Sequence, residues 1–309
     1  MEIFKETGME YRDRTESQER IGTEQDRCSE AFSKYNLKVN EKDVEKAVKS
    51  IKGKVKSKVS DEGLRLILNC LDYTSLKQND SDETILSMTE KINSFFGAKP
   101  DLKPYAAICV YPCYAKTVSN ALEIEDIKVA CVSGGFPSSQ TTTEIKIAET
   151  AMAIHDGAEE IDIVQPVGRF LSEEYEYIAD EISEIKAVCG ERKLKVILES
   201  GAMPTLSDLR KAAILAMYSG ADFLKTSTGK EASGATPESF YTICKAVRDY
   251  YDETGIKVGV KASGGISEIE DSALYLEIVN TVLGKHWMDN SSFRIGASRL
   301  ADKLISAIG

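Results

Sequence analysis

The chain has 309 residues, 42% of them hydrophobic and 29% charged, with a formal net charge of −11. This length fits one α/β barrel of about 250 residues with an extension, or two domains of about 150 each. Residues 1–60 hold 14 Lys/Arg against 12 Asp/Glu, so the remainder carries about −13 and excludes general nucleic-acid binding.

The N-terminal stretch MEIFKETGMEYRDRTESQER lacks the apolar core of a signal peptide. No segment reaches the ~18 apolar residues of a membrane span. A cytoplasmic protein with no membrane partner is therefore expected. Seven cysteines are scattered without C-x-x-C pairs, as suits reduced thiols rather than disulfides or a zinc ribbon.

Residues 1–40 are polar and aperiodic, and read as a loosely ordered extension. From Glu41, the spacing of Val44, Val48, Ile51, Val55 and Val59 predicts a helix. Its other face carries Lys42, Lys46, Lys49, Lys52 and Lys56, a solvated face or, less simply, a dock for an anionic partner. The predicted organisation is an N-terminal extension over 1–60 and a catalytic barrel over 61–309.

Beyond residue 60, eight short apolar runs alternate with helical stretches: RLILNCLDYT (65–74), AAICVYP (106–112), IKVACVSGG (127–135), EEIDIVQP (159–166), LKVILESG (194–201), ADFLKTSTG (221–229), IKVGVKASGG (256–265) and SFRIGAS (292–298). Between the third and fourth, Ile145, Ala148, Ala151, Met152 and Ile154 recur at helical spacing. Eight strand–helix units with doubly buried strands predict a (β/α)8 TIM barrel; the open doubly wound sheet is the rival.

In a barrel the strand ends converge on one mouth. The ends supply Asp72, Cys109, Asp162, Lys195 with Glu199, Lys225, Lys261, and Gly296 with Ser298. Lys225 and Lys261 fall on adjacent predicted strands. Two ammonium groups about 5 Å apart repel by roughly 3 kcal/mol at an effective dielectric near 20, about two pKa units, and burial acts in the same direction. One lysine is then available as a neutral amine nucleophile. A lysine paired with a neighbouring carboxylate is the plain alternative.

STGKEASG, ASGGIS and RIGAS each follow a predicted strand and precede a helix. Glycine and a helix N-terminus suit phosphate, although plain turn chemistry explains each segment singly. No Walker, H-E-x-x-H, G-x-S-x-G or G-x-G-x-x-G motif is present. His155 and His286, the only histidines, read as incidental. Cys109 reads first as packing and Cys113 as a surface thiol.

DFLKTSTGK, VGVKASGG, EIDIV, AAICVYP and FRIGAS, in order from about residue 64 to 306, together resemble the deoxyribose-phosphate aldolase family. The resemblance implies a class I aldolase with no metal or cofactor. It would act on 2-deoxy-D-ribose 5-phosphate, acetaldehyde and D-glyceraldehyde 3-phosphate in deoxyribonucleotide catabolism. It puts the Schiff-base lysine at Lys225, its companion at Lys261 and the proton shuttle at Asp162. Substrate contacts are expected from Asp72, Cys109, Lys195, Thr228, Gly229, Lys230, Gly264, Gly265, Gly296 and Ser298, and a homodimer is the expected assembly.

Departures accompany the match. Lys261-Ala262-Ser263-Gly264-Gly265 replaces the family's lysine–proline–alanine–glycine–glycine, and Ser267 stands where the family has an arginine. QPVGRF replaces aromatic or basic residues after Asp162, and the sequence closes on LISAIG without the tyrosine-ended tail of some members. Proton transfer is therefore expected from Asp162 with water, with Tyr73 or Tyr111 as substitute acids. Other Schiff-base barrels, pyridoxal-phosphate proteins and non-catalytic sugar-phosphate binders are the rival functions.

Overall fold

A computed structural model describes residues 27–55 and 59–309. The strands are β1 (Leu71–Thr74), β2 (Ala107–Val110), β3 (Lys128–Ser133), β4 (Glu160–Val164), β5 (Lys193–Ile197), β6 (Phe223–Lys225), β7 (Gly259–Ser263) and β8 (Phe293–Ala297). They pair in parallel in chain order, and β8 returns to β1, so the sheet closes on itself. The predicted TIM barrel is observed.

Among the described residues, three helices precede the barrel: α1 (Arg27–Ser33), α2 (Glu41–Lys52) and α3 (Asp61–Asn69). The others are α4 (Asp82–Gly97), α5 (Ala115–Ala121), α6 (Thr143–His155), α7 (Val167–Leu171), α8 (Tyr175–Cys189), α9 (Leu206–Tyr218), α10 (Pro237–Thr254), α11 (Ile269–Val282) and α12 (Arg299–Ile308). Most of the apolar core lies between the strands' outer faces and these helices. Each Leu or Ile fully buried there contributes about 1.5–3 kcal/mol.

Three local readings change. The run beginning at Arg65 is helix before it is strand. Ser60 caps α3 by accepting from the Gly63 N–H, and β1 starts only at Leu71. Of the aperiodic stretch, residues 1–26 lie outside the described residues; the remainder contains α1, which buries Cys28 and Ala31, while its Arg27 pairs with Glu176 and Asp180 of α8. On α6 the spaced apolar residues do not form one buried stripe, although Ile154 packs against the core. Ile145 and Met152 are exposed, whereas Lys146 is buried and ion-paired to Glu181 at 2.7 Å.

α2 forms where its valines predict and buries Val44, Val48 and Ile51 against α10 and α11. It ends at Lys52, so Val55 and Val59 lie beyond it as partly buried residues. Lys42, Lys46, Lys49 and Lys52 are exposed; Lys56 lies outside the described residues.

Candidate active site

Side chains alternate across a strand, so every second residue points into the barrel. On β2 and β3 these are small and apolar: Ala107, Cys109, Ala130 and Val132, packed with Leu76, Tyr111 and Phe136. The inward faces of the other strands carry charged side chains beside apolar Phe223.

Asp162, the middle residue of β4, is fully buried and holds three lysines. Its Oδ1 accepts from Lys195 Nζ at 2.8 Å. Its Oδ2 accepts from Lys225 Nζ at 2.9 Å and from Lys261 Nζ at 2.8 Å. Lys225 and Lys261 sit side by side in the β6–β7 register, as their spacing required. Toward the strand starts, Lys261 Nζ lies 2.5 Å from Asp72 Oδ2, and Lys195 Nζ lies 2.7 Å from Glu160 Oε2. Arg294 closes the lower end. Its Nη1 donates to Asp72 Oδ1 at 2.6 Å and to Glu160 Oε2 at 3.0 Å, and its Nη2 donates to Glu160 Oε1 at 2.8 Å.

This arrangement separates the lysines. Burial lowers the pKa of Lys225, and repulsion from Lys261 adds to that; Asp162 alone opposes strongly. Burial acts on Lys261 and Lys195 too, but both are raised overall. Asp162 and Asp72 outweigh burial for Lys261, and Asp162, Glu160 and Asp72 do so for Lys195. Burial favours a protonated Asp162, yet Lys195, Lys225 and Lys261 together hold it well below the usual carboxylate range. Lys225, at the last position of β6, is therefore the amine most readily deprotonated. Desolvation is the larger cause, ahead of the like-charge repulsion emphasised by sequence spacing.

The loops after β6 and β7 touch. Ala235 N–H donates to the carbonyls of Ser263 and Gly264 at 3.1 and 3.2 Å. A Cβ on Gly234 would lie 2.3 Å from the Gly264 carbonyl oxygen. Gly229, Gly264 and Gly265 have φ of +73°, +93° and +82°, conformations that favour glycine. Thr228 donates its N–H and its hydroxyl to Glu199, the latter at 2.6 Å. Lys230 Nζ donates across the mouth to the Leu76 carbonyl.

The structure thus brings Asp72, Cys109, Asp162, Lys195, Lys225 and Lys261 into one interior cluster, with Thr228, Gly229, Lys230, Gly264 and Gly265 around its mouth. Asp72 is buried with both oxygens engaged, so it meets Lys261 and Arg294 rather than open space. Gly296 makes room for Lys261: a Cβ there would lie 3.2 Å from Lys261 Cε. Ser298 begins α12 beside a cleft shared with Tyr73, Thr74 and Asp302. Tyr73 stacks on Tyr105 at 5.4 Å in the outer layer, and Tyr111 packs edge-on to Phe136. His155 and His286 are exposed.

Sequence reading missed Glu160 and Arg294. The available signal was spacing: Glu160 stands two residues before Asp162, hence on the same inward face.

Fold and site together define a barrel aldolase, with a desolvated lysine at the C-terminal ends of parallel strands beside an ionised carboxylate. A family description, "DeoC/LacD family aldolase", matches residues 70–282, and the chain belongs to that family. It is 37% identical to the deoxyribose-phosphate aldolase of Bos taurus, over 75% of this chain and 76% of the relative. It is 35% identical to the deoxyribose-phosphate aldolase of Agrobacterium fabrum, over 80% and 92%. Among solved structures it resembles the tetrameric deoxyribose phosphate aldolase of Aeropyrum pernix, at TM-score 0.64 and 25% identity, covering 84% and 96% of the two chains. A structure described as "QR15, an Aldolase" matches at TM-score 0.64 and 28% identity, covering 78% and 96%. The chain is accordingly an aldolase, a carbon–carbon lyase.

Proposed function

We propose that the chain reversibly cleaves 2-deoxy-D-ribose 5-phosphate to acetaldehyde and D-glyceraldehyde 3-phosphate through an imine on Lys225. The names of its relatives supply the substrate class. The observation that carries the proposal is that Lys225, alone among the three lysines around Asp162, pairs with a single carboxylate and is lowered.

Neutral Lys225 Nζ adds to the C1 aldehyde of the open sugar, and loss of water with uptake of one proton leaves a protonated imine. A base removes the C3 hydroxyl proton and the C2–C3 bond breaks. C3 leaves as the aldehyde carbon of glyceraldehyde 3-phosphate, and the bonding pair flows into the iminium as an enamine. Protonation of C2 and hydrolysis release acetaldehyde and the free amine. Asp162 is ionised, so it serves as acceptor through water, and the charged Lys261 is the adjacent proton source. The apolar β2–β3 wall around Cys109 suits the two-carbon fragment. The touching loops after β6 and β7, with the start of α12, supply backbone N–H groups for the 5-phosphate.

Among the described residues, Cys70, Cys109, Cys113, Cys131, Cys189 and Cys244 form no disulfide, and all of these but Cys113 are buried, which supports a reducing compartment such as the cytoplasm. Among the described residues, no helix is long and apolar enough to cross a membrane.

Reduction with borohydride in the presence of acetaldehyde should place one ethyl group on Lys225, located by peptide mapping. Ethylation of Lys261 or Lys195 instead, or of no lysine, overturns the assignment.

A further inference from the structure

Below the reacting lysine, the barrel interior holds a continuous ladder of charge. Counted as ionised, it carries four cations (Lys195, Lys225, Lys261 and Arg294) and three carboxylates (Asp72, Glu160 and Asp162). Every one of these side chains is at most 4% exposed. An interior this dry disfavours a net charge. One cation in excess is removed most easily by deprotonating the lysine with the fewest carboxylate partners. Among the described residues, Lys261 pairs with Asp72 and Asp162, and Lys195 with Glu160, Asp162 and, at 3.9 Å, Asp72, whereas Lys225 pairs only with Asp162. Arginine cannot serve, because a guanidinium keeps its proton in proteins.

Arg294 and Glu160 lie at the far end of this ladder from Lys225. They also line a cleft of about 840 Å3 at the opposite barrel mouth, with Lys128, Glu159 and Lys193. Neither contacts Lys225. Resting on the reading of Lys225 as the imine-forming residue, we infer that Arg294 is a positioning residue whose permanent buried charge, set against Glu160 and Asp72, keeps Lys225 as a free amine at working pH.

Lys225 feels Asp162 from β4, Lys261 from β7 and Cys109 from β2; Glu199, just after β5, also acts on it. Glu199 makes its hydrogen bonds to Thr228, and burial raises its pKa, so it is no fixed anion of the ladder. Arg294 faces Asp72 from β1, Glu160 from β4, and the Phe223 ring from β6 at 5.6 Å; Lys193 of β5 lies in its field. Removing Arg294 equalises cations and carboxylates with Lys225 charged, which favours the unreactive ammonium. Removing Glu160 does the reverse.

The experiment follows the pH dependence of two rates: acetaldehyde-dependent ethylation of Lys225 under cyanoborohydride, and kcat/KM for deoxyribose 5-phosphate. In Arg294→Gln the limb on which activity rises with pH should move up by about one unit, a tenfold loss at a fixed pH on that limb. In Glu160→Gln it should move down. The double variant Glu160→Gln/Arg294→Gln keeps the native charge difference and should return near the native position. Arg294→Lys keeps the charge without the fork and should also stay near it. A structural role alone lowers both rates at every pH and leaves the limb in place, and that result in any folded single variant overturns the inference. Should Arg294→Gln not fold, the downward shift in Glu160→Gln decides alone. Failure of native Lys225 to be ethylated instead refutes the imine reading, a separately visible outcome.

Discussion

In the proposed reaction, Lys261 would act by remaining charged. Its Nζ sits between Asp72 and Asp162, and their attraction outweighs burial, so it is an ammonium whenever Lys225 is free. Replacing it with leucine removes repulsion from Lys225 and releases Asp162 to pair with Lys225 more fully. Both changes raise the Lys225 pKa. Lys261→Leu should therefore lose about a hundredfold or more in kcat/KM near pH 7, roughly 2.7 kcal/mol of barrier. The pH at which Lys225 becomes ethylated should rise with it. Stopped-flow rates at several pH values check this; an unmoved limb would confine Lys261 to proton transfer.

Among the elements, the loops after β6 and β7 act as one unit because their backbones touch at Gly234 and Gly264. An alanine at Gly234 must push the Gly264 carbonyl away, since its Cβ would lie 2.3 Å from that oxygen. The strand ends below are untouched. Gly234→Ala should raise KM for deoxyribose 5-phosphate by roughly tenfold, consistent with a lost charge-assisted hydrogen bond of about 1.5 kcal/mol. Ethylation of Lys225 by acetaldehyde alone, which carries no phosphate, should keep its native rate. A parallel loss in both would show that the loops shape the lysine site as well.

These elements were legible to different degrees. Each of the seven later apolar runs locates a strand, though β6 fills only part of its run and β5 begins one residue earlier, because a doubly buried parallel strand needs an apolar outer face whatever points inward. The first run misled because α3 buries Leu64, Ile67 and Leu68 on one side, and a short apolar helix feeding a strand reads as one run. On α6, apolar spacing located the helix but did not mark its buried face, since a paired Lys146 and Glu181 are buried where an apolar stripe would be expected. The lysines and Asp162 were readable because charge inside an apolar strand is costly and conspicuous. Glu160 and Arg294 stand near strand starts, where charge reads as a solvated flank; only the closed barrel reveals that their side chains meet.

For the whole molecule, the ladder couples folding to pH. Asp72, Glu160 and Asp162 are all held below their ordinary range against the opposing effect of burial. Lys261 and Arg294 do this for Asp72, Lys195 and Arg294 for Glu160, and the three lysines for Asp162. Their stabilisation is complete above the unfolded values near 4 and is lost as pH falls below them. Lys195 and Lys261, being raised, contribute below about pH 10.4 and lose that contribution only as pH rises through their folded values. Lys225, being lowered, acts oppositely and costs stability near neutrality, a cost that shrinks as pH rises toward 10.4. The barrel should therefore hold steady from about pH 5 to 9 and weaken steeply under acid. Asp72→Asn tests the largest-scale consequence. It leaves Lys261 and the permanently charged Arg294 with one fewer carboxylate, which should cost about 3–5 kcal/mol at pH 7. It also removes one of the groups that must take up a proton on acid unfolding, so the further loss between pH 5 and pH 3 should be shallower than in the native chain. Urea denaturation at pH 3, 5 and 7, with unchanged m, measures both quantities. A variant that weakens as steeply as the native chain across that interval would mean that Asp72 keeps the same protonation on unfolding, and the ladder would lose its central anion.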